Sequence, residues 1–396
     1  MKRINSCAYA MAAAAMVLGG APQSAPAGPN DSDSTARTLV EQCAGIKTGD
    51  IVLVTGRPSD MPLLESICVQ VRKQGAFPLL SVGTDKLARR MFDEVPASLD
   101  SQTNELDAKL AGIVNAIISV ESTENPKLFA DAAPERMAAR ATAGMAAEQA
   151  FFKKNVKRVS LGNGLFPTEA TAQMYGMDKQ QLSEIFWSGV NTDYGALQAT
   201  GEQFKKAFES GKMVHITNPN GTDLTFGIDH RKCFVSDGVI SKEDAKQGGA
   251  ACQVWLPAGE VYTTPTPGTA TGRIVFDRVF FEGKEITGIT MEFQNGKMAS
   301  MTAVKGMEPV KAQYDAAGAG KDEFAMFDIG INPAVMVPAN TKMQSWVPAG
   351  MVSLGIGGNT WAGGTNACAY GFSGFEPGST VTIDDKTIIE KGVLKR

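Results

Sequence analysis

The chain has 396 residues, 43% of them hydrophobic, which is enough for ordinary cores and for two domains. Its net charge of −4 is spread along the sequence. That excludes a basic footprint for nucleic acid and a polybasic membrane patch.

Residues 1–27 read as a secretory signal. Lys2 and Arg3 form the positive region, Ala8 to Leu18 a short apolar core, and Ala25-Pro26-Ala27 an A-x-A cleavage site, with Ala21 as an earlier option. The apolar run is too short to span a bilayer, and Cys7 lies inside the signal. The mature chain is therefore expected in the periplasm or outside the cell, with no membrane attachment after cleavage. In that compartment Cys43–Cys68 and Cys233–Cys252 could bridge, leaving Cys368 over; five buried thiols are the alternative. No CxxC or CxxH pair supports a thiolate zinc site.

A polar linker at 28–37 precedes alternating apolar runs and helical patterns. Strands are expected at Asp50–Thr55, Phe77–Val82, Gly112–Val120 and Val156–Leu161. Helices are expected at Pro62–Lys73, Thr84–Phe92 and the Ala/Met-rich Pro134–Lys153. This alternation predicts an α/β domain over 28–205, a parallel sheet with helices on both faces. Its first strand ends in TGRPSD rather than G-x-G-x-x-G, so dinucleotide binding is unsupported.

Past residue 206 short strands separated by turn residues predict a β-rich α+β domain over 206–396. They fall at Val214–Thr217, Thr222–Ile228, Gln253–Leu256, Thr271–Phe280, Gly288–Gln294 and Met298–Ala303. Asn295-Gly296 suits a type I′ hairpin turn, and a second hairpin is expected around Asp384-Asp385-Lys386.

Several landmarks fall in a specific order: Gly176-Met177, GTDLTF at 221–226, PAGEVYTTP at 257–265, DEFAMFDIGINP at 322–333, and the glycine-rich GGNTWAGGTN at 357–366. Together they resemble the thermophilic-type dinuclear metallo-aminopeptidases, the aminopeptidase T and S group. The resemblance implies a homodimer that releases N-terminal residues from peptides through a water activated between two cations. It places Glu260 and Glu323 on the family's two glutamate ligands. The remaining family positions fall on Ser353, Thr360, Gly371 and Ser373, where the family's histidines, tyrosine and aspartate are substituted. No histidine follows His230. Cys368 and Tyr370 would point away from the face shared by 369, 371 and 373 on a strand.

Three readings follow: a peptidase with an altered, single-metal site; a non-catalytic peptide- or small-molecule-binding protein; and an enzyme of different chemistry. Mononuclear-iron ring-cleaving dioxygenases, which also resemble this group, illustrate the third. If Glu260 and Glu323 face each other, they share a proton or hold one hard cation, Ca²⁺ or Mg²⁺ in preference to a zinc or cobalt pair. His215 reads as a partly buried sheet residue, His230 as a solvated turn residue, and Gly371-Phe372-Ser373-Gly374 lacks the spacing of a nucleophile elbow. Trp361 is either a stacking platform or a packed lid.

Overall fold

The computed structural model describes residues 31–281 and 284–395. The expected signal segment lies outside them. Among the described residues eighteen strands follow in chain order. The first four are β1 (Ile51–Gly56), β2 (Phe77–Val82), β3 (Ala116–Val120) and β4 (Lys157–Leu161). Next come β5 (Met213–Thr217), β6 (Asp223–Gly227), β7 (Cys233–Ser236), β8 (Gln253–Leu256) and β9 (Glu260–Thr263). The long β10 (Thr271–Phe281), β11 (Lys284–Gln294) and β12 (Lys297–Thr302) precede β13 (Phe324–Gly330), β14 (Val352–Gly357) and β15 (Gly371–Phe375). The chain ends with β16 (Thr380–Ile383), β17 (Lys386–Glu390) and β18 (Val393–Leu394).

The first sheet runs β2-β1-β3-β4-β8, and every pair in it is parallel. Val52, Val54 and Ile118 are fully buried on one face, where the helix Met61–Lys73 contributes Leu64, Ile67 and Val71 at helical spacing. Phe151 of the helix Pro134–Lys153 packs with Ala111, Val114 and Ile117 on the other face. Thr84 caps the next helix, Asp85–Glu94, by accepting from the Leu87 N–H. One expectation needs correcting. Gln253–Leu256, read as part of the β-rich region, completes the parallel sheet instead. Pairing beside β4 buries Val254 and Leu256 in the common core, a gain that position along the chain does not reveal.

β2 is the edge of this sheet, with Phe77 and Leu79 largely exposed. The Phe77 and Gly83 N–H groups both point at β1, so the even-numbered residues turn their backbone groups to the open edge. Pro78 is tolerated there because its missing N–H would face outward.

The second sheet runs β12-β11-β10-β6-β5-β16-β17-β18 and the third β15-β14-β13-β9-β7, both antiparallel. The β11–β12 hairpin turns on Asn295 and Gly296 with φ of 50° and 80°, as its sequence predicts. Asp384 and Asp385 turn the β16–β17 hairpin in the same way. One face of the third sheet is apolar. Phe327 there stacks on Phe208 of the helix Tyr194–Ser210 at 5.0 Å and meets Phe226 of β6 edge-on at 5.4 Å. Burying each such ring contributes about 2–3 kcal/mol and joins the sheets through one core.

Neither candidate disulfide is formed. All five described cysteines are free, with Cys43, Cys233 and Cys252 buried and Cys68 and Cys368 half-buried. Cys43 lies against Tyr194, while Cys252 turns its thiol to the Asp244 carbonyl. Packing rather than cross-linking holds these thiols.

Candidate functional site

Strand register decides which side chains of the third sheet share a face. Ser236 pairs with Glu260, Glu260 with Gly330, Tyr262 with Asp328, and Asp328 with Ser353. Gly355 pairs with Ser373, and Gly357 with Gly371. Residues directly opposite across strands point the same way, and alternate residues along a strand do too. Glu260, Tyr262, Asp328, Ser353, Gly371 and Ser373 therefore belong to one face, opposite the apolar one. Of the positions that the resemblance singled out, Ser353 comes near Glu260 by way of Asp328, whereas Gly371 and Ser373 share the face but lie three strands away, toward the other end of the sheet.

Glu260 opens β9 and is buried, with 4% exposure. Its Oε1 accepts from Trp346 Nε1 at 2.6 Å and from Asn163 Nδ2 at 3.2 Å. Asn163 is held in place by a second bond to the Pro257 carbonyl. Burial pushes the Glu260 carboxyl well above the usual carboxylate range, and the two donors pull it partly back. Asp328, also buried, is raised further by burial and by the Glu260 charge beside it. Two carboxyls in one apolar interior cannot both ionise, so the pair retains a proton near neutral pH. Asp328 Oδ1, Ser353 Oγ and Asn163 Oδ1 have no protein hydrogen-bond partner.

The expected facing of Glu260 and Glu323 is corrected. Glu323 precedes β13, whereas Glu260 pairs with Gly330 at its other end, so at about 3.3 Å per residue the two lie roughly 20 Å apart. Glu323 instead forms a bridge with Lys297 of β12, their charged atoms 3.1 Å apart. The carboxyl beside Glu260 is Asp328, which sequence reasoning passed over. Its signal was available: a lone acid within the apolar run FAMFDIG carries a desolvation cost that a structural strand has no reason to bear.

Thr360 and Trp361 lie in a short 3₁₀ turn after β14. Gly357 and Gly358 bring that segment against the Tyr370 and Cys368 carbonyls, where a Cβ would come within 2.1 Å and 2.0 Å of backbone oxygen. A groove of about 520 Å³ runs between this segment and the helix Pro134–Lys153, lined by Met145, Phe152, Thr360, Trp361, Cys368 and Tyr370. Trp361 therefore lines the groove and also packs on Tyr262, at 5.5 Å, and on Trp255, at 6.1 Å. Tyr262 links this aromatic layer to the carboxyl pair. His215, on the exposed side of β5, bonds Asp223 at 2.8 Å, so it is not the partly buried residue expected. His230 sits in a solvated turn, as expected.

Two divalent ions held side by side need several anionic and imidazole donors. The face described here offers two carboxyls, the hydroxyls of Tyr262, Ser353 and Ser373, a glycine and no imidazole. Among the described residues no group of three or more His, Cys, Asp or Glu is arranged to hold a metal. The donor set does not fit a dinuclear centre. No helix of the described residues is long and apolar enough to cross a membrane.

The architecture has solved counterparts. AmpT from Thermus thermophilus superposes with a TM-score of 0.71 at 16% identity, covering 92% of this chain and 99% of that one. A 2,5-dihydroxypyridine dioxygenase from Pseudomonas putida KT2440 superposes with a TM-score of 0.60 at 10% identity, covering 93% and 98%. No curated protein sequence matches. The profile of the M29 peptidases, thermophilic metalloproteases, matches residues 30–328. The α/β layer, the β-rich layers and the sequence profile agree, and the chain belongs to the M29 thermophilic metalloprotease family.

Proposed function

We propose that this chain is an exported member of the M29 family that has given up two-metal peptide hydrolysis and binds a peptide or small molecule on the inherited scaffold. The observation that carries the reading is the composition of the Glu260 face. Glu260 is capped by Trp346 and Asn163 and neighboured by Asp328, with Ser353 beside Asp328 and both histidines of the chain elsewhere. Unpartnered buried oxygens on Asp328, Ser353 and Asn163 support descent from a working polar centre, since each costs stability that a purely structural core would not spend. The aromatic groove beside Trp361 has the size and apolar lining of a small-ligand site.

Fold does not choose the chemistry, because one structural neighbour is a dioxygenase and another is AmpT. Leucine and alanine anilides, offered to the purified mature chain with and without zinc or cobalt, test the reading. No chelator-sensitive turnover is expected; strong metal-dependent release of the anilide overturns it. Export rests on Lys2, Arg3, the apolar 8–18 core and Ala25-Pro26-Ala27. Sequencing the native protein is expected to find a new N-terminus near Gly28, and an intact Met1 on a cytoplasmic species would contradict export.

A further inference from the structure

The parallel sheet carries a feature that the Glu260 face does not explain. Thr55, Ser119, Ser160 and Trp255 are in register across four neighbouring strands. Each is the last residue but one of its strand. A strand buried between helices normally presents apolar side chains at such positions. Here three hydroxyls and an indole form a row at the carboxyl end of the sheet, where open α/β sheets bind ligands. A cavity of about 360 Å³ opens over the row, with Gln253 and Arg158 one step below on the same face.

We propose that this cavity binds a small neutral polyhydroxylated molecule, a monosaccharide or polyol, over the Thr55–Ser119–Ser160 row, with the Trp255 ring at the end of the row. The chemistry of the lining turns away anions and offers hydroxyl partners. Arg158 is held by both oxygens of Glu148, at 2.5 and 3.1 Å, so its charge is already matched. Asp107 and Glu121 are the other charged residues of the lining, and they disfavour phosphate or carboxylate ligands. Ser119 donates to Ser160 or to Glu121, leaving the Ser160 proton for a ligand, and Thr55 has no side-chain partner among the described residues. Alternating hydroxyl and C–H faces of a sugar match a hydroxyl row that ends in an aromatic ring. The Trp255 ring is fixed for that role by edge contacts to Tyr262 and Trp361. The floor is the parallel sheet, so this site stands whatever the Glu260 face does.

The test is calorimetric titration of the full mature chain with glucose, galactose, mannitol and myo-inositol, with gluconate and glucosamine as charged controls. Saturable binding of at least one neutral compound is expected, with neither charged analogue binding more tightly. Thr55→Val and Ser160→Val should each weaken it by about threefold to tenfold, while Thr55→Ser retains it and all three variants melt as the parent does. Absence of saturable binding across the neutral panel, indifference to both valine variants, or preference for a charged analogue overturns the proposal.

Discussion

Glu260 and Asp328 are diagonal neighbours on one face of adjacent antiparallel strands, roughly 7 Å apart along the backbone, and both are buried. They differ in support. Glu260 accepts two hydrogen bonds, whereas Asp328 Oδ1 accepts none from the protein. The two acids should therefore respond oppositely to removal. Glu260→Ala strands the Trp346 and Asn163 donors and should cost about 1–3 kcal/mol. Asp328→Asn removes an acid that must stay neutral when folded but ionises freely when unfolded, so it should leave stability at pH 8 unchanged or raise it. Urea denaturation reads both; a clear loss of stability in Asp328→Asn would mean the carboxylate is held charged.

Stability should fall as pH rises through neutrality. Burial pushes Glu376 up to about 8, despite hydrogen bonds from Asn220 and Thr222, and Asp237 up to about 7. Their unfolded values lie near 4. Between about 4 and 8 the folded chain thus holds more protons than the unfolded one, and the contribution, complete below pH 4, is lost as pH passes the folded values. Asp100, lowered to about 2 first by Arg136, acts in the opposite sense, and only below the same window. A higher melting temperature at pH 5 than at pH 8.5 is expected; a rise toward pH 8.5 would refute the assignment.

Gly259 sets the approach to Glu260. Its φ is +133°, and a Cβ there would meet Asn332 Cβ at 2.5 Å and the Asn332 backbone nitrogen at 2.9 Å. Asn332 cannot retreat, because its amide bonds the Ala258 and Gly189 carbonyls. Gly259→Ala should destabilise the fold by about 2 kcal/mol or more, seen as a lowered melting temperature, and an unaltered melt would contradict this backbone geometry.

What was legible in the sequence follows physical range. The helix Met61–Lys73 and the Asn295-Gly296 hairpin are written in local spacing and turn chemistry, so they were readable. β8 was misplaced because four residues, Gln253–Leu256, carry no sign of which sheet will pair with them. Glu323 was drawn into the site by its place in a motif, yet strand register sends it to Lys297. Asp328, Asn163 and Trp346 reach Glu260 from three separate segments, and only the assembled sheet brings them together.

The central claim concerns what the Glu260 face can hold. The direct measurement is bound metal per chain after incubation of the purified mature protein with excess zinc or cobalt and removal of free ion, read by elemental analysis beside Glu260→Gln. Well under one ion per chain is predicted, with no difference between the parent and the variant. Two ions per chain in the parent, lost in Glu260→Gln, would contradict the account.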